Sequence, residues 1–200
     1  LGVDSQKLDV VLMQMVRLLR NGEVAKLSKR SGKAITLVTL LEEIPIDAAR
    51  FFFNMREANS QFEFDLDLAV EQSSQNPVYY VQYAHARLCS LITNLKADGL
   101  ADDVNANLEL LDTEREIELI RHIASLPTEV NNAARTYDPA KITKYSIELA
   151  TLFHRFYDGC SVKNAETEEL KAARFTLCKA VRQTLRNALT ILKIECPEKM

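Results

Sequence analysis

Apolar residues recur at helical spacing along most of this chain, and this pattern constrains the fold more than any other feature. Between Pro77 and Lys96 one stripe comprises Val78, Val81, His85, Leu88, Ile92 and Leu95. Steps of three and four residues place such side chains on one face of an α-helix. The 200 residues include only 5 Gly and 5 Pro, which argues against a loop-rich β-sandwich. The sequence therefore predicts a mainly α-helical protein.

The C-terminal two thirds of the chain is predicted to form an antiparallel helix bundle. Its four helices are predicted at 77–96, 113–135, 139–158 and 167–194. In the last helix the predicted core face comprises Leu177, Val181, Thr184, Ala188 and Ile191. Residues 98–118 carry a net charge of −7, and the first part of this acidic stretch is predicted to be a solvated connector.

The N-terminal part is predicted to mix helix, strand and loop. The spacing of Leu8, Leu12, Met15 and Leu19 predicts a helix that ends before Asn21-Gly22. The polar stretch 23–37 predicts strand and loop. Two helices are predicted within 39–56, separated at Pro45, because proline fits the first turn of a helix far better than its interior. The stretch FEFDLDLAV alternates and then becomes helical.

The charge of the chain is unevenly distributed. The formal net charge of −3 excludes a uniformly basic nucleic-acid binder. Residues 1–33 nevertheless carry +4 and residues 160–200 carry +3. On the last predicted helix, the basic residues away from the core stripe are Lys179, Arg182, Arg186 and Lys193. Such zones can bind a long polyanion at two places, and a solvated helix face is the alternative interpretation.

Cysteine and histidine placement indicates neither a metal site nor a redox pair. The four cysteines are separated by 71, 18 and 18 residues, no CxxC occurs, and the three histidines lie far apart. Free thiols in a reducing compartment are expected. No signal peptide pattern and no membrane-spanning apolar run is present, so we expect a cytoplasmic protein. A start at Leu1 with immediate amphipathic sequence favours a piece of a longer chain.

The loop Lys26-Leu27-Ser28-Lys29-Arg30-Ser31-Gly32 places several phosphate-directed groups together. Two lysines three residues apart supply positive charge, while hydroxyls and glycine-permitted backbone amides supply oriented donors. Such a loop suits the stabilisation of negative charge on a transferring phosphate when the rest of the site is present. The pattern K-x-S-K-R-S alone also occurs in surface loops and targeting signals.

The stretch MQMVRLLRNGEVAKLSKRSG resembles the region around the second signature motif of class I aminoacyl-tRNA synthetases, and in particular the form found in arginyl-tRNA synthetases. The resemblance continues through DAARFFFNMRE, FDLDLA and QNPVYYVQYAHARLCS, and it reaches the closing RNALTILKIECPEKM. It covers nearly the whole chain in order. The Tyr-rich run is its most specific part.

This resemblance implies roles for the signature loop. Lys26 and Lys29 match the two catalytic lysines, which contact ATP phosphates. Ser28, Arg30 and Ser31 match the rest of the ATP-binding loop. Leu27 stands where methionine is usual, which is a volume-conserving change. Asp47 to Arg50 is similar to the four-letter motif that names the helical anticodon-binding domain, with Ala49 where leucine is usual, and its expected role is to tie the loop region to the helices.

One expected motif is absent from the 200 residues. Class I enzymes carry a histidine-x-glycine-histidine motif on a nucleotide-binding fold, and neither occurs here. We therefore expect residues 1–60 to be the end of a catalytic domain and 61–200 to be the anticodon-binding domain. ATP, with magnesium, and arginine would bind through the missing domain. The fragment alone is expected to bind no cofactor tightly and to be inactive, because catalysis needs several positioned groups together.

The expected partner is a tRNA specific for arginine, bound by a monomeric fragment that does not associate with membranes. Unstacked bases are recognised by stacking on aromatic or guanidinium planes, with basic residues on the backbone. The candidates are Tyr79, Tyr83, Tyr137, Tyr157, Arg182, Arg186, Asn187 and Met200. Tyr80 and Tyr83 flank the core stripe, so one of them is expected to pack inside. His85 and His154 are expected to be core histidines.

Two other functions fit parts of the sequence. A stand-alone, non-catalytic RNA-binding paralogue would lack the nucleotide-binding fold by nature. A helical protein-interaction module would have no need of the Lys26 and Lys29 loop, which argues against it.

Overall fold

The computed structural model describes residues 2, 4, 7–25, 36–103 and 105–200. Within these residues the strands are β1 (Val16–Arg20), β2 (Glu23–Val24) and β3 (Phe62–Asp65). The helices are α1 (Leu37–Glu43), α2 (Ile46–Phe53), α3 (Leu66–Val70), α4 (Pro77–Ala97), α5 (Glu114–Thr136), α6 (Ala140–Gly159) and α7 (Glu168–Ile191). The prediction of a mainly helical chain with a short strand-containing segment before a bundle is confirmed.

β1 is the central strand of a small sheet with the order β2-β1-β3. It pairs antiparallel with β2 through a tight turn at Asn21 and Gly22, whose φ angles are 52° and 73°, as a type I′ hairpin requires. It pairs in parallel with β3, where Val16 lies opposite Phe62. The predicted helix at 8–19 is therefore wrong: its last four residues belong to β1, whose backbone bonds to the distant β3, and residues 8–15 form no regular element.

The elements from α1 to α4 follow the predicted pattern, while residues 26–35 of the predicted strand and loop at 23–37 lie outside the described residues. The two helices within 39–56 are confirmed, with Pro45 immediately before the first residue of α2. The change from strand to helix in FEFDLDLAV is also confirmed, because β3 leads directly into α3 and the Asp65 side chain caps the first amides of that helix. α2 buries Ala48, Ala49 and Phe51, so it is fixed to the bundle through its apolar face.

The four long helices form the predicted antiparallel bundle. α4 runs parallel to α6, since Tyr80 contacts Thr151 and Arg87 contacts Tyr157. α5 runs opposite to α6, since Arg115 contacts the Arg155 carbonyl and His122 stacks on Tyr145. The predicted core stripe of α4 is buried along its whole length. Thr113 begins α5 with a capping box, in which the hydroxyl and the glutamate three residues later satisfy backbone donors reciprocally.

The predicted core face of α7 is correct except at its end. Leu177, Val181, Thr184 and Ala188 are buried, whereas Ile191 is 50% exposed. α7 ends at Ile191, three residues before the predicted end, because the chain reverses through Lys193 with a φ angle of 57°. Ile194 folds back and is buried in place of Ile191.

A buried ion pair joins α5 to α7. Glu116 is fully buried and accepts from Arg174 Nε at 2.7 Å and from the Thr113 hydroxyl at 2.7 Å. Arg174 also donates to the Ser161 carbonyl at 2.9 Å. Burial raises the pKa of Glu116, but the hydrogen bonds from Thr113 and Arg174 outweigh it and the net pKa is lowered. Glu116 is therefore ionised at neutral pH.

The acidic connector between α4 and α5 is largely exposed, as predicted, yet two of its carboxylates bind lysines. Asp98 contacts Lys163 Nζ at 2.8 Å. Asp102 lies between Lys96 Nζ at 2.8 Å and Lys179 Nζ at 2.9 Å. Hydrogen bonds from these two lysines lower the pKa of Asp102 to about 2. The connector is thereby attached to the end of α4, to the middle of α7 and to the loop between α6 and α7.

Candidate nucleic-acid interface

The signature loop with its predicted catalytic and ATP-binding residues lies outside the described residues. These residues are Lys26, Ser28, Lys29, Arg30 and Ser31. The described chain on either side of the loop is well connected. β1 and α1 are joined by an ion pair between Arg20 and Glu43, and the Thr36 side chain caps the first turn of α1.

A row of stacked rings lies between α4 and α6. Tyr79 stacks on Tyr83 with ring centroids 6.4 Å apart and planes 9° apart. Tyr83 in turn stacks on His154 at 6.2 Å and 26°. Tyr83 is 41% exposed, so the row is accessible at its centre. Parallel, partly exposed rings are the arrangement on which single-stranded bases stack.

Tyr80 is the tyrosine of the pair Tyr80 and Tyr83 that packs inside. Tyr80 is half-buried, its hydroxyl lies 3.3 Å from the Thr151 hydroxyl, and its ring lies 5.2 Å from that of His154. The expectation that one tyrosine of the pair packs inside is therefore confirmed, with Tyr80 inside and Tyr83 outside.

Tyr157 is adjacent to this row but its ring is covered. The Arg87 guanidinium lies 4.0 Å from the centroid of the Tyr157 ring, and Phe153 packs edge-on at 5.9 Å. Arg87 was missed in the sequence analysis, although its position four residues after Tyr83 places it on the same side of α4. Its planar cation is a second group on which a base can stack.

The two histidines near this surface differ in environment. His85 is 2% exposed and its ring nitrogen Nδ1 donates to the Pro197 carbonyl at 2.9 Å, so the expected hydrogen-bonded core histidine is confirmed. His154 is half-buried within the ring row rather than in the core. Burial is the main cause that lowers the pKa of both histidines. Both rings are therefore mainly neutral at pH 7.

The predicted α7 residues lie on the other side of α4. Arg186 and Asn187 are exposed, and Asn187 accepts a hydrogen bond from Gln183 at 2.8 Å. Arg182 is half-buried beside Cys89. Met200 is 53% exposed, three residues after the Pro197 carbonyl that His85 binds. α4 thus separates an aromatic row, which it shares with α6, from a basic row on α7 beside the end of the chain.

Tyr137 lies apart from both rows at the junction of α5 and α6. It adopts a left-handed conformation with a φ angle of 53° and is 56% exposed. Its hydroxyl donates to Asp9 at 2.7 Å, and this contact raises the pKa of the phenol. The ring lines a cavity of about 610 Å³ together with Val10 and Leu12. Tyr137 is therefore bound to residues 7–15, which we call the N-terminal segment.

The basic row is shorter than the sequence suggested. Lys179 binds Asp102 and its ammonium lies 4.9 Å from the centroid of the Phe175 ring, so the acidic connector neutralises it. Lys193 lies beyond the end of α7, so Arg182 and Arg186 remain as the row on α7. Among the described residues, no group of three or more His, Cys, Asp or Glu side chains is placed to hold a metal ion, and no helix there is long and apolar enough to cross a bilayer.

A family model for the DALR anticodon binding domain matches residues 81–200. These residues are most of α4, the acidic connector, α5 to α7 and the residues that follow α7. The chain belongs to this family.

The relatives of the chain specify the kind of protein further. It is 52% identical over its whole length to an arginine–tRNA ligase of Caldanaerobacter subterraneus subsp. tengcongensis, of which it spans 36%. A crystal structure named as an arginyl-tRNA synthetase from Campylobacter jejuni matches 100% of the chain with a TM-score of 0.87 and 30% identity, over 42% of that protein. The arginyl-tRNA synthetase of Thermus thermophilus matches 77% with a TM-score of 0.66 and 28% identity, over 26% of its length.

These matches confirm the resemblance to arginyl-tRNA synthetases that the sequence motifs indicated. The chain spans about a third of the length of the ligases that it matches.

Proposed function

We propose that this chain is the C-terminal part of an arginine–tRNA ligase and that it binds the anticodon region of its tRNA. The observation that carries the proposal is the exposed Tyr79–Tyr83 stack on α4, which lies on the helix that also borders the basic row of α7. Membership in an anticodon binding family and full-length similarity to arginine–tRNA ligases support it.

The aromatic row and the basic row would bind different parts of the RNA. Tyr83, with Arg87 one turn further on, would stack on unpaired bases, which every base permits through its π-face. Arg182 and Arg186 would neutralise phosphates. Because burial lowers the pKa of His154, its neutral ring supports the Tyr83 stack without adding charge at pH 7. Tyr137, Tyr157, Asn187 and Met200 remain proposed contacts of the same RNA.

In the whole enzyme, Lys26 and Lys29 would stabilise the charge that develops on the ATP phosphates, with Ser28, Arg30 and Ser31 completing the loop. Arginine would be activated with ATP and magnesium and then joined to the tRNA. Residues 1–60 would belong to the catalytic domain and 61–200 to the anticodon-binding domain. The 200-residue chain alone would be an inactive monomer, and the enzyme would be cytoplasmic.

The proposal is tested by titrating the chain with an arginine tRNA transcript and with a copy changed only in its anticodon, at two salt concentrations. We expect tighter binding to the native anticodon at both. Equal affinities for both transcripts that fall steeply with salt would mean that only phosphate attraction remains, and anticodon recognition by this chain would then be rejected.

Two substitutions assign the binding to the surface described here. Tyr83→Ala should weaken binding about tenfold or more, since base stacking on an aromatic side chain contributes about 1–3 kcal/mol per base. Arg186→Ala should weaken it and reduce its salt dependence. Arg121→Ala is the matched control, because Arg121 is also exposed but lies on α5. An equal loss in the control would assign the effect to general charge.

The expected inactivity of the chain alone is tested in a separate experiment. We expect the chain to show no arginine-dependent exchange of pyrophosphate into ATP, with or without tRNA, while a full-length arginine–tRNA ligase run in parallel does. Exchange above background that disappears in Lys29→Ala would show that the missing domain is dispensable for activation.

A further inference from the structure

The end of the chain is held in place by side chains from two other helices. Arg50 Nη1 donates to the Lys193 carbonyl at 2.7 Å, across 143 residues of sequence. The Glu195 amide donates to Asp47 Oδ2 at 3.0 Å, and Gln82 Nε2 donates to the Glu195 carbonyl at 3.1 Å. We call residues 193–200 the C-terminal segment. Side chains of α2 and α4 thus bind the backbone of this segment and set its course beyond α7.

α2 can hold the C-terminal segment because it is itself packed against the bundle. Asp47 and Arg50 lie one turn apart, between alanines and phenylalanines that are buried against the bundle. Asp47 also accepts from Gln82 at 2.9 Å, so its carboxylate joins α2, α4 and the C-terminal segment at one point. Hydrogen bonds that involve an ionised group are stronger than neutral ones, and both α2 side chains are charged.

The C-terminal segment needs such contacts because its backbone begins in an unfavourable conformation. Lys193 has a φ angle of 57°, a region that residues other than glycine rarely adopt. The Ile194 amide donates to the Leu189 carbonyl at 3.0 Å and the Lys193 amide to the Thr190 carbonyl at 3.0 Å, which is a Schellman ending. Arg50 binds the carbonyl of this left-handed residue and thereby supports the reversal.

The reversal directs the C-terminal segment back along α7. Cys196 Sγ lies 3.9 Å from the Arg186 carbonyl, and His85 holds the Pro197 carbonyl on α4. The segment therefore lies against the turn of α7 that carries Arg186 and Asn187, and Met200 projects from its end. A shift of residues 193–195 would displace this part of the candidate interface.

We propose that Asp47 and Arg50 are positioning residues for RNA binding: they hold the C-terminal segment beside Arg186 so that the basic row and the end of the chain meet the RNA together. This inference rests on the proposed function. Neither side chain has to touch the RNA. The role is distinct from simple stabilisation of the fold, because Ile194 is the one residue of the segment that is buried in the core, while residues 195–200 lie at the edge of the bundle.

The test combines RNA affinity with a direct measure of where the C-terminal segment lies. Arg50→Ala and Asp47→Ala should each weaken binding of the arginine tRNA transcript about tenfold, as expected for the loss of a hydrogen bond to a charged group. Amide hydrogen exchange at Glu195 should accelerate in both, while exchange in the core of α6 stays unchanged. Arg50→Lys, which keeps one charged donor, should restore part of the affinity. Glu42→Ala, an exposed change on α1, is the control.

Gln82→Ala provides a second variant that leaves α2 intact. It removes the bonds to the Glu195 carbonyl and to Asp47 Oδ2, and it should weaken RNA binding in the same direction. Faster exchange at Glu195 with unchanged RNA affinity in all three variants would overturn the inference, because the contacts would then be structural only. If the unmodified chain binds no tRNA, the proposed function itself fails, and the positioning role is rejected with it.

Discussion

The helix bundle and the N-terminal segment contain similar apolar residues but place them in opposite environments. In the bundle, Leu149 and Phe153 are fully buried. In the segment 7–15, Leu12, Met13 and Met15 are 75%, 74% and 86% exposed. Both stretches show helical apolar spacing, so the spacing alone does not decide the structure. A helix forms where other elements of the chain cover the apolar face, since most helix stability in proteins comes from packing.

The largest contrast is expected from truncating one apolar side chain in each region. Leu149→Ala should lower the free energy of unfolding by about 2–5 kcal/mol, because it removes a buried side chain and leaves a cavity. Met15→Ala should change it by less than about 0.5 kcal/mol. Urea unfolding followed by circular dichroism measures both. Similar losses in the two variants would show that the N-terminal segment is buried in solution.

Breaking the ion pair inside the bundle should have a comparable effect. Glu116→Gln should cost about 3 kcal/mol, since it leaves Arg174 without its buried partner. The exposed Glu118 on the same helix provides the control, and Glu118→Gln should be close to neutral.

The same glutamate makes the stability of the bundle pH-dependent. Hydrogen bonds from Thr113 and Arg174 hold the pKa of Glu116 below its ordinary value despite burial. Its contribution to stability is therefore complete above the pKa of an unfolded glutamate and is lost as the pH falls through the lower folded value. Glu116→Gln should flatten this part of the stability profile between neutral and acidic pH, and an unchanged slope would contradict the assignment.

A smaller change in the free energy of unfolding, of opposite sign, is expected at Lys193, just after the end of α7. Lys193→Gly should raise stability by about 1 kcal/mol, because glycine adopts the left-handed conformation without the steric cost that lysine incurs. Lys193→Ala removes the same charge but keeps the strain, so it should not stabilise. Thermal unfolding distinguishes the two, and equal stabilisation by both would assign the effect to charge.

The smallest effect concerns the contact between the two regions. Asp9 raises the pKa of the Tyr137 phenol, and Asp9→Asn should lower that pKa toward its ordinary value. A pH titration of the tyrosine resonances by NMR measures this shift. Glu63→Gln, which removes an exposed carboxylate from β3, should leave it unchanged. An unaltered Tyr137 titration in Asp9→Asn would show that the N-terminal segment does not contact the bundle in solution.

Much of the bundle was predictable because its signals are local. The apolar stripe of α4, the Asn76-Pro77 start and the Thr113 and Thr167 caps all act within a few residues of the position they determine. The split at Pro45 follows for the same reason. By contrast, β1 was predicted as part of a helix although Asn21-Gly22 is a strong hairpin signal, since its second partner, β3, lies more than 40 residues further along the chain.

The candidate interface shows the same division. Its residue types, tyrosine, arginine and asparagine on α4 and α7, could be identified from the sequence and from its resemblance to a known family. Which tyrosine is exposed could not, because Tyr80 and Tyr83 occupy similar positions on α4 and only the position of α6 distinguishes them. Arg87 was missed because its role depends on the Tyr157 ring of another helix.

The sequence by itself determined the class of fold, the family and the helices of the bundle, because periodicity, caps and motifs depend on residues that lie close together in the sequence. Only the tertiary structure decided that Asp102 neutralises Lys179 and that Asp47 and Arg50 hold the end of the chain. These contacts join residues 77 to 148 positions apart. Such partners are chosen by the packing of whole helices, which no local pattern of residues specifies.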